Sequence, residues 1–257
     1  MRILFSLLLV ATFATADILA QGPPIRLDKP IMLGSGQAGL RTMVDIVDAD
    51  AGNYTALLVE ADYNIRRNIA VGIEVPWVFS DFYGSDRPGD ISIMGKYQFI
   101  QKDAMGKSTR ISAKVKQMFP TGRDVKSPVV GMGHYKTYVG LVGAYESLGL
   151  GIQAEAGYNF VPEDSHLAYG LYKLGVAIPL LEPSFPVNQI NVYLESEAMT
   201  MGSHEGSSAY AFYLAPGLQY ARGKYTVEAS WQFPVTQKLP FEYERNWSFR
   251  FGGRMLL

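Results

Sequence analysis

The sequence predicts an all-β fold, a closed antiparallel up-and-down transmembrane β-barrel of about twelve strands. Three observations predict it. Apolar and polar residues alternate with period two through most of the chain. The alternating segments are about ten residues long, the length that a tilted strand needs to cross a bilayer. Their apolar faces end in aromatic residues, which are typical of the girdles at the two membrane interfaces.

The N-terminus has the pattern of a secretory signal peptide. Arg2 precedes an apolar run at 3–14, and small residues include Ala16 and Ala20. The run is too short for a membrane helix, which needs about 20 residues. Cleavage after Ala20 is preferred, and cleavage after Ala16 is the alternative. We therefore assign residues 1–20 to a signal peptide, 21–39 to a periplasmic N-terminal segment and 40–257 to the transmembrane β-barrel.

The alternation is clearest in the segment from Ile69 to Phe79. Its odd positions are all apolar, whereas its even positions include Gly72 and Glu74. Successive side chains of a strand point to opposite faces, so one face of this segment is apolar. The same pattern recurs in six further segments: 91–99, 111–116, 150–160, 190–195, 225–233 and 247–257.

Period two and turn residues together predict the order of strands. The strands are expected near 40–47, 54–65, 69–79, 90–101, 108–119, 134–145, 149–160, 167–178, 189–199, 209–221, 224–233 and 245–257. Tight turns at 66–68, 146–148 and 222–223 fall at one end of the barrel, with a longer turn at 182–188. Loops at 80–89, 120–133, 200–208 and 234–244 fall at the other end. An even number of strands places both termini in the periplasm.

The polar faces carry charged residues at central positions. A soluble sandwich or lipocalin-like barrel is the alternative fold, but its core would not tolerate such charges unpaired. In a membrane barrel they line the lumen, where we expect them to form the permeation path. These residues are Glu60, Asp62, Glu74, Lys96, Lys114, Lys116, Lys136, Glu155, Glu195, Glu197, Glu228, Arg250 and Arg254.

Charges on neighbouring strands suggest ion pairs along the wall. Glu74 with Lys96, and Lys136 with Glu155, are the pairs that we expect if the side chains lie at equal heights. Across a twelve-strand barrel, Glu74 would face Glu195 and Glu197. Such like charges repel, which argues against a plug held by salt bridges and favours a narrow, wet bore.

Composition excludes several functions. The net charge is −1 and no basic run is present, so nucleic acid is not an expected partner. The chain has no cysteine, which excludes a lipoprotein anchor, disulfides and thiolate metal sites. Its three histidines, His134, His166 and His204, do not form a nucleophile–base arrangement with the neighbouring serines. We therefore expect no enzyme activity, no cofactor and no metal site.

Several short motifs occur in order along the alternating strands. They are Glu74-Val75-Pro76-Trp77, Gly89-Asp90-Ile91, Gly95-Lys96-Tyr97 and Pro120-Thr121-Gly122. In these motifs the chain resembles the outer-membrane family named for the MetA pathway of phenol degradation, most clearly over residues 54–160. The resemblance implies a transporter-like barrel for aromatic or other small hydrophobic molecules. Many barrels end on an aromatic residue, whereas this chain ends on Leu257.

These observations predict a porin-like channel or transporter in the outer membrane of a Gram-negative bacterium. It would pass small, aromatic or hydrophobic solutes through a narrow charged lumen. The alternatives are a plugged structural or surface-interaction barrel and, less favoured, a barrel enzyme that acts on lipid. Expected partners are outer-membrane lipid, the small-molecule permeant and the barrel-assembly machinery.

Overall fold

Twelve long strands form the wall of a closed β-barrel. The structure is a computed structural model and describes residues 23–30, 34–79, 87–122, 125–126, 129–131, 133–204, 207–240 and 243–257. The strands are β1 (Ala38–Asp48), β2 (Tyr54–Arg66), β3 (Ile69–Phe79), β4 (Ser92–Ala104), β5 (Lys107–Met118), β6 (Lys136–Ser147), β7 (Gly151–Phe160), β8 (Tyr169–Pro179), β9 (Asn188–His204), β10 (Ser207–Arg222), β11 (Tyr225–Lys238) and β12 (Trp247–Leu256). The predicted twelve-strand barrel is confirmed.

The first and last strands close the barrel. In antiparallel register, Gly39 of β1 pairs with Leu256 of β12, and Asp48 pairs with Trp247. The opposite edge of β1 pairs with β2, and every other wall strand likewise has two neighbours. No strand edge is left unpaired along the wall, so the backbone groups of the strands bond to one another.

The strand connections differ in length between the two ends of the barrel. Short turns at 67–68, 105–106, 148–150 and 223–224, together with 180–187, lie at one end. The longer connections, such as those from β3 to β4 and from β5 to β6, leave and rejoin the wall at the other end. The short-turn end also holds the start of β1 and the end of β12, as expected for a barrel whose termini lie in the periplasm.

Two predicted outer loops are shorter than expected. The segment 200–208 was predicted as a loop, but β9 continues to His204 and β10 begins at Ser207. Likewise, β11 extends to Lys238 into the predicted loop 234–244. Ladder pairing continues past the expected strand ends, and an apolar cluster supports it. The cluster comprises Ala209, Ala211, Tyr213 and Leu239, packed against Met199, Met201 and Tyr243.

The apolar faces of the strands point away from the bore, as the alternation predicts. In β3, the outward residues Val71 to Phe79 at odd positions are 37–42% exposed. In β7, Gln153, Glu155 and Asn159 point inward and are almost wholly buried. A closed barrel with an apolar outer face and a polar interior has the organisation of a membrane barrel.

Aromatic residues lie near the ends of these outer faces. Trp231 and Phe233 of β11 are in contact, with ring centroids 6.0 Å apart. Tyr158 and Phe160 of β7 are closer still, at 4.8 Å. All four residues lie toward the long-loop end of their strands, where an aromatic girdle is expected.

No helix within the described ranges is long and apolar enough to cross a membrane. The predicted signal peptide, residues 1–20, lies outside the described residues and stays a prediction.

Leu174 and Leu171 of β8 offer a matched test of the two faces. Leu174 is 50% exposed at the middle of the outer face, whereas Leu171 lines the bore. We expect Leu174→Arg to make folding into lipid less favourable by about 2–4 kcal/mol, because a charge near the bilayer midplane is costly. Leu171→Arg should destabilise the folded barrel much less, since its guanidinium would reach water in the bore. Denaturant titration of both variants in lipid vesicles would measure the difference, and equal costs would contradict the assigned faces.

Candidate functional site

A short stretch of chain, residues 23–30, lies inside the bore and is called the plug segment below. Among the described residues, hydrogen bonds join its backbone and side chains to nine of the twelve wall strands. These residues belong to the range 21–39, which the sequence assigns to a periplasmic N-terminal segment, and they lie within the bore. At the periplasmic rim, Gly36 bonds through its N–H to Asn64 at the end of β2, and β1 then begins.

Arg26 anchors the plug segment to the wall at β11 and β12. Its Nε donates to Ser230 Oγ at 2.8 Å, and its Nη1 donates to Gln232 and Ser248, both at 3.1 Å. The backbone amides of Ile25 and Arg26 donate to the carboxylate of Glu195 on β9, at 2.9 and 3.0 Å. Two backbone N–H groups of the plug segment are thus bound by one carboxylate of the wall.

The carbonyl oxygens of the plug segment accept hydrogen bonds from wall side chains. Gln219 Nε2 donates to the carbonyl of Pro23 at 2.8 Å, and Lys173 Nζ donates to that of Arg26 at 3.1 Å. Arg254 and Arg41 donate in the same way to the carbonyls of Pro24 and Ile25. Proline has no N–H but keeps its carbonyl, so a proline-rich segment suits a wall that supplies donors.

Ile25 forms an apolar contact inside the bore. Its side chain is fully buried against Met43 of β1, Ala177 of β8 and Tyr193 of β9, with Leu58 alongside. Apolar burial of this size is worth roughly 1.5–3 kcal/mol. The plug segment is therefore held by apolar packing as well as by hydrogen bonds.

Asp28 connects the plug segment to the opposite part of the wall. Its carboxylate bonds to Lys96 of β4 at 2.7 Å and to Lys114 of β5 at 3.0 Å. Ser112 Oγ of β5 donates to the carbonyl of Pro30 at 3.0 Å. The segment thus crosses the bore from the β9–β12 wall to the β4–β5 wall.

The bore keeps a large cavity around the plug segment. Its volume is about 1870 Å³, larger than the roughly 300–1,000 Å³ of an ordinary ligand pocket. Of the described residues that line it, twelve are basic and seven are acidic. The cavity is therefore positively charged, although the net charge of the whole chain is −1.

All thirteen charged residues predicted to face the lumen do lie on the inside of the barrel. Ten of them line the large cavity: Glu60, Asp62, Glu74, Lys96, Lys114, Lys116, Lys136, Glu155, Arg250 and Arg254. Glu195 and Glu197 line a smaller space beside Arg26. Glu228 is buried and bonds to Arg41 and Arg254.

The predicted ion pairs along the wall are replaced by others. Glu74 bonds to Lys116 at 2.8 Å rather than to Lys96, which bonds to Asp28. Glu155 bonds to Lys114 at 2.9 Å, while Lys136 lies over the ring of Tyr169. Both new wall pairs join strands that are two apart. Strand tilt and stagger set which side chains share a height, and the sequence does not report either quantity.

The ion pair between Lys114 and Glu155 lies beside the ring of Tyr138, which packs flat on Gly157. Lys114 Nζ lies 5.1 Å from the ring centroid of Tyr138 on β6. A Cβ at Gly157 would lie only 2.6 Å from Cζ of that ring, so the flat packing needs a residue without a side chain. The tyrosine forms part of the cavity wall beside the charged pair.

Several charged residues of the bore are absent from the set that the sequence predicts. Arg41 and Asp45 of β1 bond to Glu228 and Arg250, and Lys173 of β8 bonds to Glu197. Period two contains the necessary signal, since these residues alternate with exposed Leu40, Ile46, Tyr172 and Leu174. The plug residues Arg26 and Asp28 carry no such signal, because their segment is not a strand.

Within the described part of the chain, no group of three or more His, Cys, Asp or Glu side chains could hold a metal ion. Several charged residues of the bore form pairs of opposite sign, such as Lys116 with Glu74 and Lys173 with Glu197.

Comparison with known proteins identifies the fold. No family model matches the sequence, and no curated sequence matches it significantly. An outer membrane channel from Pseudomonas putida F1 superposes with a TM-score of 0.67 at 9% identity, covering 91% of this chain and all of that one. The fold is that of outer-membrane β-barrel channels. The NanC porin gives a TM-score of 0.55 at 9% identity, covering 84% of this chain and 98% of its own.

A third structure, the KdgM porin in complex with disordered oligogalacturonate, gives a TM-score of 0.50 at 13% identity. The alignment covers 85% of this chain and 98% of that one. At these identities the comparisons establish architecture alone. A closed barrel of this fold with an apolar outer face belongs in the outer membrane, in contact with its lipid.

Proposed function

We propose that this protein is an outer-membrane channel for small solutes and that the plug segment closes its bore in the structure described here. One observation carries the proposal. The obstruction is residues 23–30, which are not part of any wall strand, and the wall itself encloses a charged cavity of about 1870 Å³. A barrel filled by its own inward side chains would leave no such space.

The thirteen inward charged residues predicted from the sequence would then line the permeation path. Ten of them already border the cavity. The resemblance to the family of the MetA pathway of phenol degradation supports aromatic or other small hydrophobic permeants. Ion pairs such as Lys116 with Glu74 would keep the wall charged but leave the centre of the bore to solute and water.

A plugged structural barrel is the second candidate function, and a specific observation favours it. The plug segment is held by the side chain of Arg26, by the Glu195 carboxylate that accepts from its backbone N–H groups, and by the buried Ile25. Firm attachment of this kind would suit a permanent plug.

Deletion of residues 21–33 from the mature protein tests the channel. We expect the deletion variant to show steady conductance in planar bilayers, at least about tenfold above the mean conductance of the full-length protein, because the bore loses its obstruction. The deletion retains Gly36, whose N–H bonds to Asn64 at the start of the barrel. Unchanged heat-dependent mobility on a denaturing gel would show that the barrel is closed. A folded deletion variant without conductance would reject the channel and favour the structural barrel.

A further inference from the structure

The carboxylate of Asp28 is shared between two lysines of the wall. Oδ1 lies 2.7 Å from Lys96 Nζ, and Oδ2 lies 3.0 Å from Lys114 Nζ. Each oxygen therefore binds a different ammonium group. This arrangement fits the two separated oxygens of a carboxylate better than it fits a single spherical anion such as chloride.

Asp28 also balances the charge of this part of the wall. Lys114 bonds to Glu155 as well, so the group holds two lysines and two carboxylates when Asp28 is present. Without Asp28, one positive charge would have no counterpart. With the plug segment in place, the side chains of Lys96 and Lys114 are only 6% and 11% exposed, so water there compensates an unpaired charge poorly.

The group around Asp28 keeps this carboxylate ionised. Burial raises the pKa of Asp28, but the ammonium groups of Lys114 and Lys96 outweigh burial, and the pKa lies well below its usual value. The next residue, Lys29, also donates its backbone N–H to Asp28 at 2.7 Å. The wall thus holds the charged form of a carboxylate.

The surroundings also offer room for the apolar body of a ligand. Leu27, next to Asp28, is almost fully buried, and its Cδ1 approaches Gly175 of β8. The ring of Tyr138 lies beside Lys114 and borders the cavity. An apolar group attached to a carboxylate could take the volume that Leu27 occupies next to Asp28.

We propose that Lys96 and Lys114 form a binding site for the carboxylate group of a small permeating molecule, and that Asp28 is a tethered competitor for this site. The proposal rests on the proposed channel function and names the chemical class of its substrate. A carboxylate from solution restores the charge balance when the plug segment leaves. Substrate binding and opening of the bore are then linked, because both depend on the same two lysines.

Benzoate binding to the purified protein in detergent tests the site, with benzamide as its neutral isostere. A tethered carboxylate competes at an effective concentration on the order of millimolar. Replacement of Asp28 by asparagine removes the competing charge without shortening the side chain. We expect isothermal titration to show benzoate binding at least about tenfold tighter to Asp28→Asn than to the wild type, since charged hydrogen bonds are the stronger ones. Benzamide should bind both proteins equally.

Lysine variants in the Asp28→Asn background separate this site from general binding in an opened bore. The double variant Lys96→Gln and Lys114→Gln should lose the gain in benzoate affinity. The matched control is Lys102→Gln with Lys107→Gln, which removes two exposed lysines from the same strands, β4 and β5. This control should keep the gain in benzoate affinity. Heat-dependent gel mobility reports whether each variant folds. If the double variant does not fold, the benzoate affinities of Asp28→Asn and the wild type decide whether the carboxylate site exists.

The outcomes separate this inference from the channel itself. Equal benzoate affinity of the wild type and Asp28→Asn, or full affinity in the folded Lys96 and Lys114 double variant, would overturn the carboxylate site. Conductance of the residue 21–33 deletion without any benzoate binding would leave the channel standing and reject the site. Benzoate binding to a deletion variant that does not conduct would support the site and reject the channel.

Discussion

Replacing Glu228 by alanine is expected to lower the free energy of unfolding by about 3–5 kcal/mol, because buried positive charges lose their partner. The Glu228 side chain is wholly inaccessible to solvent and accepts hydrogen bonds from Arg41, Arg254 and Gln219. These three donors also hold carbonyls of the plug segment. The variant should therefore be less stable and more conductive, as urea titration in lipid vesicles and bilayer recordings would measure.

Asp103 provides the control for the loss of a carboxylate. It pairs with Arg110 near the turn between β4 and β5, and its side chain is 45% exposed. Asp103→Ala should cost only about 0–1 kcal/mol, since water screens an exposed pair. Similar losses of stability in the two variants would mean that the Glu228 pairs are solvated, contrary to the structure.

Replacing Gly252 by alanine is expected to prevent closure of the barrel. Gly252 of β12 pairs with Met43 of β1, at the seam where the first and last strands meet. A Cβ at this position would overlap the carbonyl oxygen of Thr42 and lie 2.8 Å from Cα of Met43. Backbone atoms cannot move aside as a flexible side chain can, so β1 would have to leave β12.

Refolding into detergent would show the effect. The Gly252→Ala protein should lack the compact, heat-sensitive band that a closed barrel gives on a denaturing gel. Gly95→Ala is the matched control, because no atom outside its immediate neighbours lies within 4 Å of a Cβ at Gly95 of β4. A Gly252→Ala barrel with wild-type mobility would contradict the close approach at the seam.

Period two predicted most of the wall. It gave β3 the bounds Ile69–Phe79 that the structure shows, and most other strand ends lie within about two residues of the prediction. It also placed every charged residue chosen for the lumen on the inner face. Alternation is a local property of the chain, because each side chain points opposite to its neighbours wherever the strand lies.

The partners of these charges were not predictable in the same way. Glu74 lies one strand from Lys96 along the wall, yet it bonds to Lys116, two strands away. Strand order was known from the sequence, but a contact between side chains depends on their relative heights. Tilt and stagger of the closed barrel determine those heights, and both arise only when all strands pair.

By itself, the sequence determined the barrel, the direction of its strands and the face on which each side chain lies. Only the tertiary structure decided that residues 23–30 cross the bore. Pro23, Pro24 and Pro30 interrupt any period, so no local pattern marks this segment as part of the barrel. Its partners include Glu195 and Arg254, about 170 and 230 residues along the chain, and contacts this distant exist only after the barrel has closed.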